Sequence, residues 1–138
     1  MKVCIILLSL ICTIQLSVAA NDAISGRITN VDWPDDIISA SATFVPVPWV
    51  TVENTGAMTE FYARFSIQAP DGKWYSGACY ATPVLKNNEE SIVWPSTVQI
   101  TSSMPHGVSY NAKVELFGDY CGRDRLDTKT KDYAFMIV

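Results

Sequence analysis

Residues 118–127, GDYCGRDRLD, hold three aspartates, two arginines and a cysteine. Three chemistries suit that density. The first is metal binding. Asp119, Asp124 and Asp127 could gather around calcium, which takes oxygen ligands from irregular loops. Asp32, Asp35 and Asp36 form a second acidic cluster. Neither follows the EF-hand spacing, and Arg123 and Arg125 compensate the first cluster, so ion pairs are the simpler account and no metal site is assigned. Zinc would need more than one histidine or a free Cys-x-x-Cys. The second chemistry is catalysis. The lone histidine, His106, lies between Pro105 and Gly107 and reads as an exposed turn residue. There is no Gly-x-Ser-x-Gly elbow, and the adjacent Glu89 and Glu90 read as solvated surface acids. No catalytic residue and no cofactor is assigned, and the chain reads as non-enzymatic.

The third chemistry is recognition. Cys4 and Cys12 fall within residues 1–20, described below as a leader, which leaves Cys79 and Cys121. Two cysteines in an exported chain pair most simply as one disulfide. Closing that loop of about 43 residues is worth roughly 4 kcal/mol of lost unfolded-state entropy. Such a bridge would pin residues 118–127 to the body and give Arg123 and Arg125 a fixed direction. Loops held on a rigid scaffold carry binding, and arginine is favoured at interface hot spots. The same residues also describe a plain disulfide-stabilised hairpin whose charges keep it soluble. Trp74 and Tyr75 are neighbours and cannot share one face of a strand. An exposed tryptophan or tyrosine offers a platform for a sugar or a protein surface, so Trp74, Tyr75 and Tyr120 join Arg123 and Arg125 as candidate binding residues. Of the four tryptophans, Trp33, Trp49, Trp74 and Trp94, most are expected to fill the core.

These residues need a scaffold and a compartment. Lys2 precedes the apolar run VCIILLSLICTIQL (3–16) and the small residues Ser17, Val18, Ala19 and Ala20, the pattern of a secretory signal peptide. The run is shorter than the roughly 20 apolar residues of a spanning helix. Cleavage is expected after Ala20, and no second such run follows, so the mature chain has no expected membrane span. Residues 21–138 then form one domain. They carry nine basic against fourteen acidic side chains, a net charge of −5. That balance argues against nucleic acid or an anionic membrane as partner, since both demand a basic face. Nothing in the sequence specifies an oligomeric state.

The scaffold reads as strands. In EFYARFSI (60–67), Phe61, Ala63, Phe65 and Ile67 alternate with Glu60, Tyr62, Arg64 and Ser66. In SYNAKVEL (109–116), Tyr110, Ala112, Val114 and Leu116 alternate with polar residues. A period of two marks a half-buried strand. Further strands are expected within 24–33, 41–45, 49–54, 73–80, 90–100 (split by Pro95) and 132–138. Turn clusters separate them at 33–36, 54–56, 70–72, 86–89, 102–107 and 118–127. About seven strands with no helical period indicate a β-sandwich or barrel.

The run VTVENTGAMTEFYARFSIQAPDGKWYSG resembles immunoglobulin-like sandwich domains of the bacterial cell-adhesion-related type. Val50, Val52, Asn54 and Gly56 match a Val-x-Val-x-Asn-x-Gly strand, KNNEES (86–91) stands where an acidic turn would be, and PHGVSYNAKVEL (105–116) matches the lead-in to a long penultimate strand. The likeness covers about 50–138, and the cysteine pair and arginine-rich loop depart from it. The resemblance implies an all-β, immunoglobulin-like antiparallel sandwich and a role in adhesion or accessory binding. The expected function is therefore a secreted binding module for an extracellular protein or glycan. Competing expectations are a small secreted lipid carrier, an immunoglobulin-like protease inhibitor presenting the Asn54-Thr55-Gly56 loop, and a hydrolase.

Overall fold

Phe61, Ala63, Phe65 and Ile67 are each fully buried, and so are Tyr110, Val114 and Leu116. The alternation therefore faces one interior, and each large apolar side chain removed from water contributes about 1.5–3 kcal/mol. The structure is a computed structural model that describes residues 23–39 and 41–138; the expected leader, residues 1–20, lies outside them. The described residues form nine strands and no helix: β1 (Gly26–Asp32), β2 (Ile37–Ile38), β3 (Trp49–Asn54), β4 (Tyr62–Gln68), β5 (Trp74–Ser76), β6 (Tyr80–Ala81), β7 (Glu90–Val93), β8 (Val108–Phe117) and β9 (Arg125–Ile137). They make two sheets. The smaller has the order β1-β3-β7. The larger runs β2-β9-β8-β4-β5, with β6 also on β4, and curls into a half-barrel. Ile28, Val50, Val52 and Val93 from the small sheet and Phe65, Ile67, Tyr110 and Phe135 from the large one belong to one apolar cluster.

Several expectations are corrected. Strands number nine, and β2 pairs β9 in parallel, so the pairing is not wholly antiparallel. Residues 41–45 form no strand, only the bridge Phe44–Gln99. Pro46 and Pro48 follow directly and lack the N–H a ladder needs. The segment 73–80 divides into β5 and β6, and 90–100 yields β7 alone, ending before Pro95. The loop at 118–127 is shorter than its composition suggests, because Arg125, Leu126 and Asp127 already belong to β9. The tryptophans do not fill the core: Trp49, Trp74 and Trp94 are exposed, and only Trp33 packs, partly buried, against it.

Asn54 shows how a polar residue earns a buried place. Its Nδ2 donates to the Ala57 and Leu85 carbonyls at 2.8 and 2.7 Å, and its Oδ1 accepts from the Gly56 N–H at 2.8 Å. Gly56 is required beside it, since a Cβ there would strike the Ala23 carbonyl and the Ser25 N–H. The turn after β3 is thus locked to the chain before β1 and to the residues ahead of β7. Asn54→Ala should leave the buried Gly56 N–H and the half-buried Ala57 carbonyl without a partner, while the Leu85 carbonyl keeps the Thr59 N–H, and lower unfolding free energy by roughly 2–4 kcal/mol, read from urea denaturation curves.

Candidate functional site

Strand β4 runs beside β8 with Arg64 opposite Glu115, Ser66 opposite Lys113, Gln68 opposite Asn111 and Tyr62 opposite Phe117. Strand β5 continues the sheet, placing Trp74 opposite Gln68 and Ser76 opposite Ser66. All of these alternate with the core residues, so they share the outer face. At its centre lies Glu115, whose side chain is only 4 % exposed. Its carboxylate meets Arg64 at 3.1 Å, Lys113 at 3.5 Å and Arg125 at 3.5 Å. A buried charge is tolerable only when paired, and here cations from three strands share one anion. Burial pushes the Glu115 carboxyl up. The hydrogen bond from Arg64, the charges of Lys113 and Arg64, and the hydrogen bond from Arg125 outweigh it and hold the group below the usual carboxylate range.

Aromatic rings flank these cations. The Arg64 guanidinium lies 5.3 Å from the centre of the Phe117 ring, and the Lys113 ammonium lies 4.1 Å from that of Trp74. At the other end Tyr62 and Tyr120 meet edge to face at 5.5 Å. From Gln68, beside Trp74, to Tyr62, beside Tyr120, the face runs six residues along β4, roughly 20 Å. Arg64, Glu115, Phe117, Gly122, Arg123 and Arg125 line an open depression of about 380 Å³ within it.

The loop between β8 and β9 is held over this face in two ways. Cys79 and Cys121 are joined by a disulfide with Cα atoms 5.9 Å apart, the pairing expected from the sequence. Asp119 gathers the N–H groups of Gly122, Arg123 and Asp124 at 3.1, 3.0 and 3.4 Å. Desolvation works against its charge, but those N–H groups, Arg123 foremost, hold its carboxyl below the ordinary range. Arg123 follows two residues after the bridged cysteine and reaches the depression.

The structure therefore brings Trp74, Tyr120, Arg123 and Arg125 to one face and leaves Tyr75 off it. Tyr75 pairs with the core residue Ile67 and packs against the interior, with Lys73 over its ring at 5.0 Å. Sequence reasoning missed Arg64, Lys113 and Glu115. The available signal was the alternation itself, which places all three opposite the core face. It also missed Tyr133. Between Tyr110–Phe135 and Ala112–Lys131 the ladder slips, and in that bulge Tyr133 has a φ of 50° and is 79 % exposed. Its N–H is held by Asn111 Oδ1 at 2.9 Å.

The acidic clusters do not converge. Asp127 accepts the Ile28 N–H at 2.8 Å and its neighbour Thr128's N–H at 2.8 Å, whereas Asp119 turns into its own loop. Asp36 lies 3.6 Å from Lys131. Among the described residues no group of three His, Cys, Asp or Glu side chains is placed to hold a metal ion. His106 is exposed, with Nδ1 3.3 Å from the Val138 carbonyl oxygen.

A second exposed surface lies on the small sheet. Val50 pairs with Val93 and Thr51 with Ile92, which brings Trp49 beside Trp94, edge to face at 5.5 Å. Trp49, Ile92 and Trp94 are all exposed.

No protein family, curated protein or solved structure matches this chain.

Two outcomes are expected. A Cys79→Ser/Cys121→Ser double variant should lose up to roughly 4 kcal/mol of stability in denaturant titration. Glu115 ionises more readily folded than unfolded, so its contribution is present above the unfolded carboxyl value of about 4.3. That contribution fades as pH falls below it toward the folded value. Glu115→Gln should cost about 1–3 kcal/mol at neutral pH, reduced by the solvent its partners keep. It should also flatten the stability–pH curve below about pH 4.5; a curve of unchanged slope would refute the assignment.

Proposed function

We propose that this chain is a secreted, non-enzymatic recognition module of the immunoglobulin-like sandwich type, and that it binds an extracellular protein or glycan through the outer face of the large sheet. Strand order supports the sandwich reading. β1-β3-β7 and β9-β8-β4 correspond to the A-B-E and G-F-C orders of immunoglobulin-like sheets. So does Tyr110, near the start of the penultimate strand, whose hydroxyl donates to the Pro105 carbonyl at 2.6 Å, the geometry of a tyrosine corner. The disulfide is consistent with an oxidising compartment.

One observation carries the binding reading: Arg64, Lys113, Arg123 and Arg125 gather with Trp74, Tyr62 and Tyr120 on a single sheet face. Exposed aromatic and guanidinium groups are the enriched chemistry of recognition surfaces, and the face is open, without the enclosing walls of a reaction cleft. The competing expectations find less support. The depression beside Glu115 and a second one among Arg27, Asp127 and Lys129 are lined by charged side chains, which suit an ion better than an acyl chain. Asn54 and Gly56 are buried, so the Asn54-Thr55-Gly56 loop exposes only Thr55 to a protease. A second reading, a protein partner covering Trp49, Ile92 and Trp94, is favoured by their exposure on one face.

Immobilised protein presented with extracellular proteins and glycans separates the two readings. Trp74→Ala/Arg125→Ala should reduce capture at least tenfold, a loss of about 1.4 kcal/mol or more, while Trp94→Ala binds as wild type. The reverse pattern would favour the small sheet.

A further inference from the structure

We infer that the depression among Arg64, Glu115, Arg123 and Arg125 is an oxyanion subsite, and that its occupant is the sulfate or carboxylate of an acidic sugar within an extended glycan. The inference rests on the reading of this face as the binding surface and names its ligand class. Three guanidinium groups and one carboxylate line the depression. That carboxylate is already shared among Arg64, Arg125 and Lys113, so positive charge is left over, and Arg123 adds to it. Arg64 keeps further donor capacity, since only one of its two terminal nitrogens serves Glu115.

The nearby acids do not cancel this. Asp119 is turned into the loop backbone, and Asp124 lies beside Gly118; neither lines the depression. The acidic balance of the chain as a whole acts weakly here, because charges beyond about 8 Å are screened at physiological salt. Guanidinium forks match planar or tetrahedral oxyanions and bind them with strong, charge-assisted hydrogen bonds.

The flanking rings decide for a sugar over an acidic peptide. Trp74 is 40 % and Tyr120 72 % exposed, at opposite ends of a strip of the outer face roughly 20 Å long. Aromatic platforms on either side of a cationic centre suit a chain whose rings stack while its acid group is clamped. A volume of about 380 Å³ is at the small end of ligand sites, enough for one such group and not for a polyanion wrapped over several phosphates.

The test uses the disulfide-intact chain and calorimetric titration with four probes: a sulfated heparin tetrasaccharide, the same sugar desulfated but keeping its carboxylates, a neutral form desulfated and carboxyl-reduced, and a hexaglutamate peptide. At least one acidic sugar should bind ten times or more tighter than the neutral form, and the sulfated-to-carboxylate ratio identifies which oxyanion is preferred. Arg123→Ala removes an exposed guanidinium outside the Glu115 ion pairs. It should leave the melting curve unchanged and abolish most of that advantage, about tenfold. Trp74→Ala should weaken acidic and neutral sugars alike. The inference is overturned if the neutral sugar binds as tightly as the acidic ones, if Arg123→Ala equals wild type, or if the peptide matches the acidic sugars. Neutral binding that is lost with Trp74→Ala would sink the oxyanion subsite while sustaining the face. Absence of binding by every sugar also overturns the inference, and the face is then judged by capture of protein partners.

Discussion

Strand β8 is hydrogen-bonded along both edges, to β4 on one side and β9 on the other. Its pleat therefore cannot slip. A shift of one residue would turn Tyr110, Ala112, Val114 and Leu116 out to solvent and drive Lys113 and Glu115 into the interior. The ladder that seals the core is thus the same ladder that sets the spacing of charges on the outside. Glu115 can be buried at the sheet surface because β4, β8 and β9 each hold a cation at a distance the register dictates. The carboxylate in turn keeps Arg64 laid over Phe117, which would otherwise be an exposed ring.

The loop beyond β8 extends that order where no ladder exists. Cys121 takes a left-handed backbone, φ 45°, a conformation that costs a side-chain-bearing residue free energy. The disulfide, the Asp119 carboxylate and the Cys121 N–H to Asp119 carbonyl contact at 2.7 Å together over-determine it. A short loop so restrained presents Arg123 with little ordering entropy left to lose on binding, which is the physical advantage of preorganisation.

Sequence patterns exposed some of these features and concealed others. The strands at 60–67 and 109–116 were legible because their alternation is long and clean. Residues 41–45 have equal β propensity, yet their backbone finds a partner only at Phe44–Gln99; propensity is local, and a strand needs a neighbour. β9 starts earlier than its apolar end suggests because β8 offers pairing along its full length. β2 has two residues and no periodicity to detect. The tryptophans were misread through their size. Once Val50 and Val52 face the core, Trp49 must face away, and the pairing of β3 with β7 then brings Trp94 to the same side.

Local periodicity and composition were enough to establish an all-β chain, its two principal strands and the cysteine pair, and to nominate Trp74, Tyr75, Tyr120, Arg123 and Arg125. Tertiary structure alone decided which side chains meet. Arg64 and Glu115 are 51 residues apart in sequence, and nothing in either neighbourhood specifies that β4 and β8 pair in the register that joins them. A face is a property of several strands at once, created by long-range hydrogen bonding. Its charge and its depression come into being only when the sheet closes.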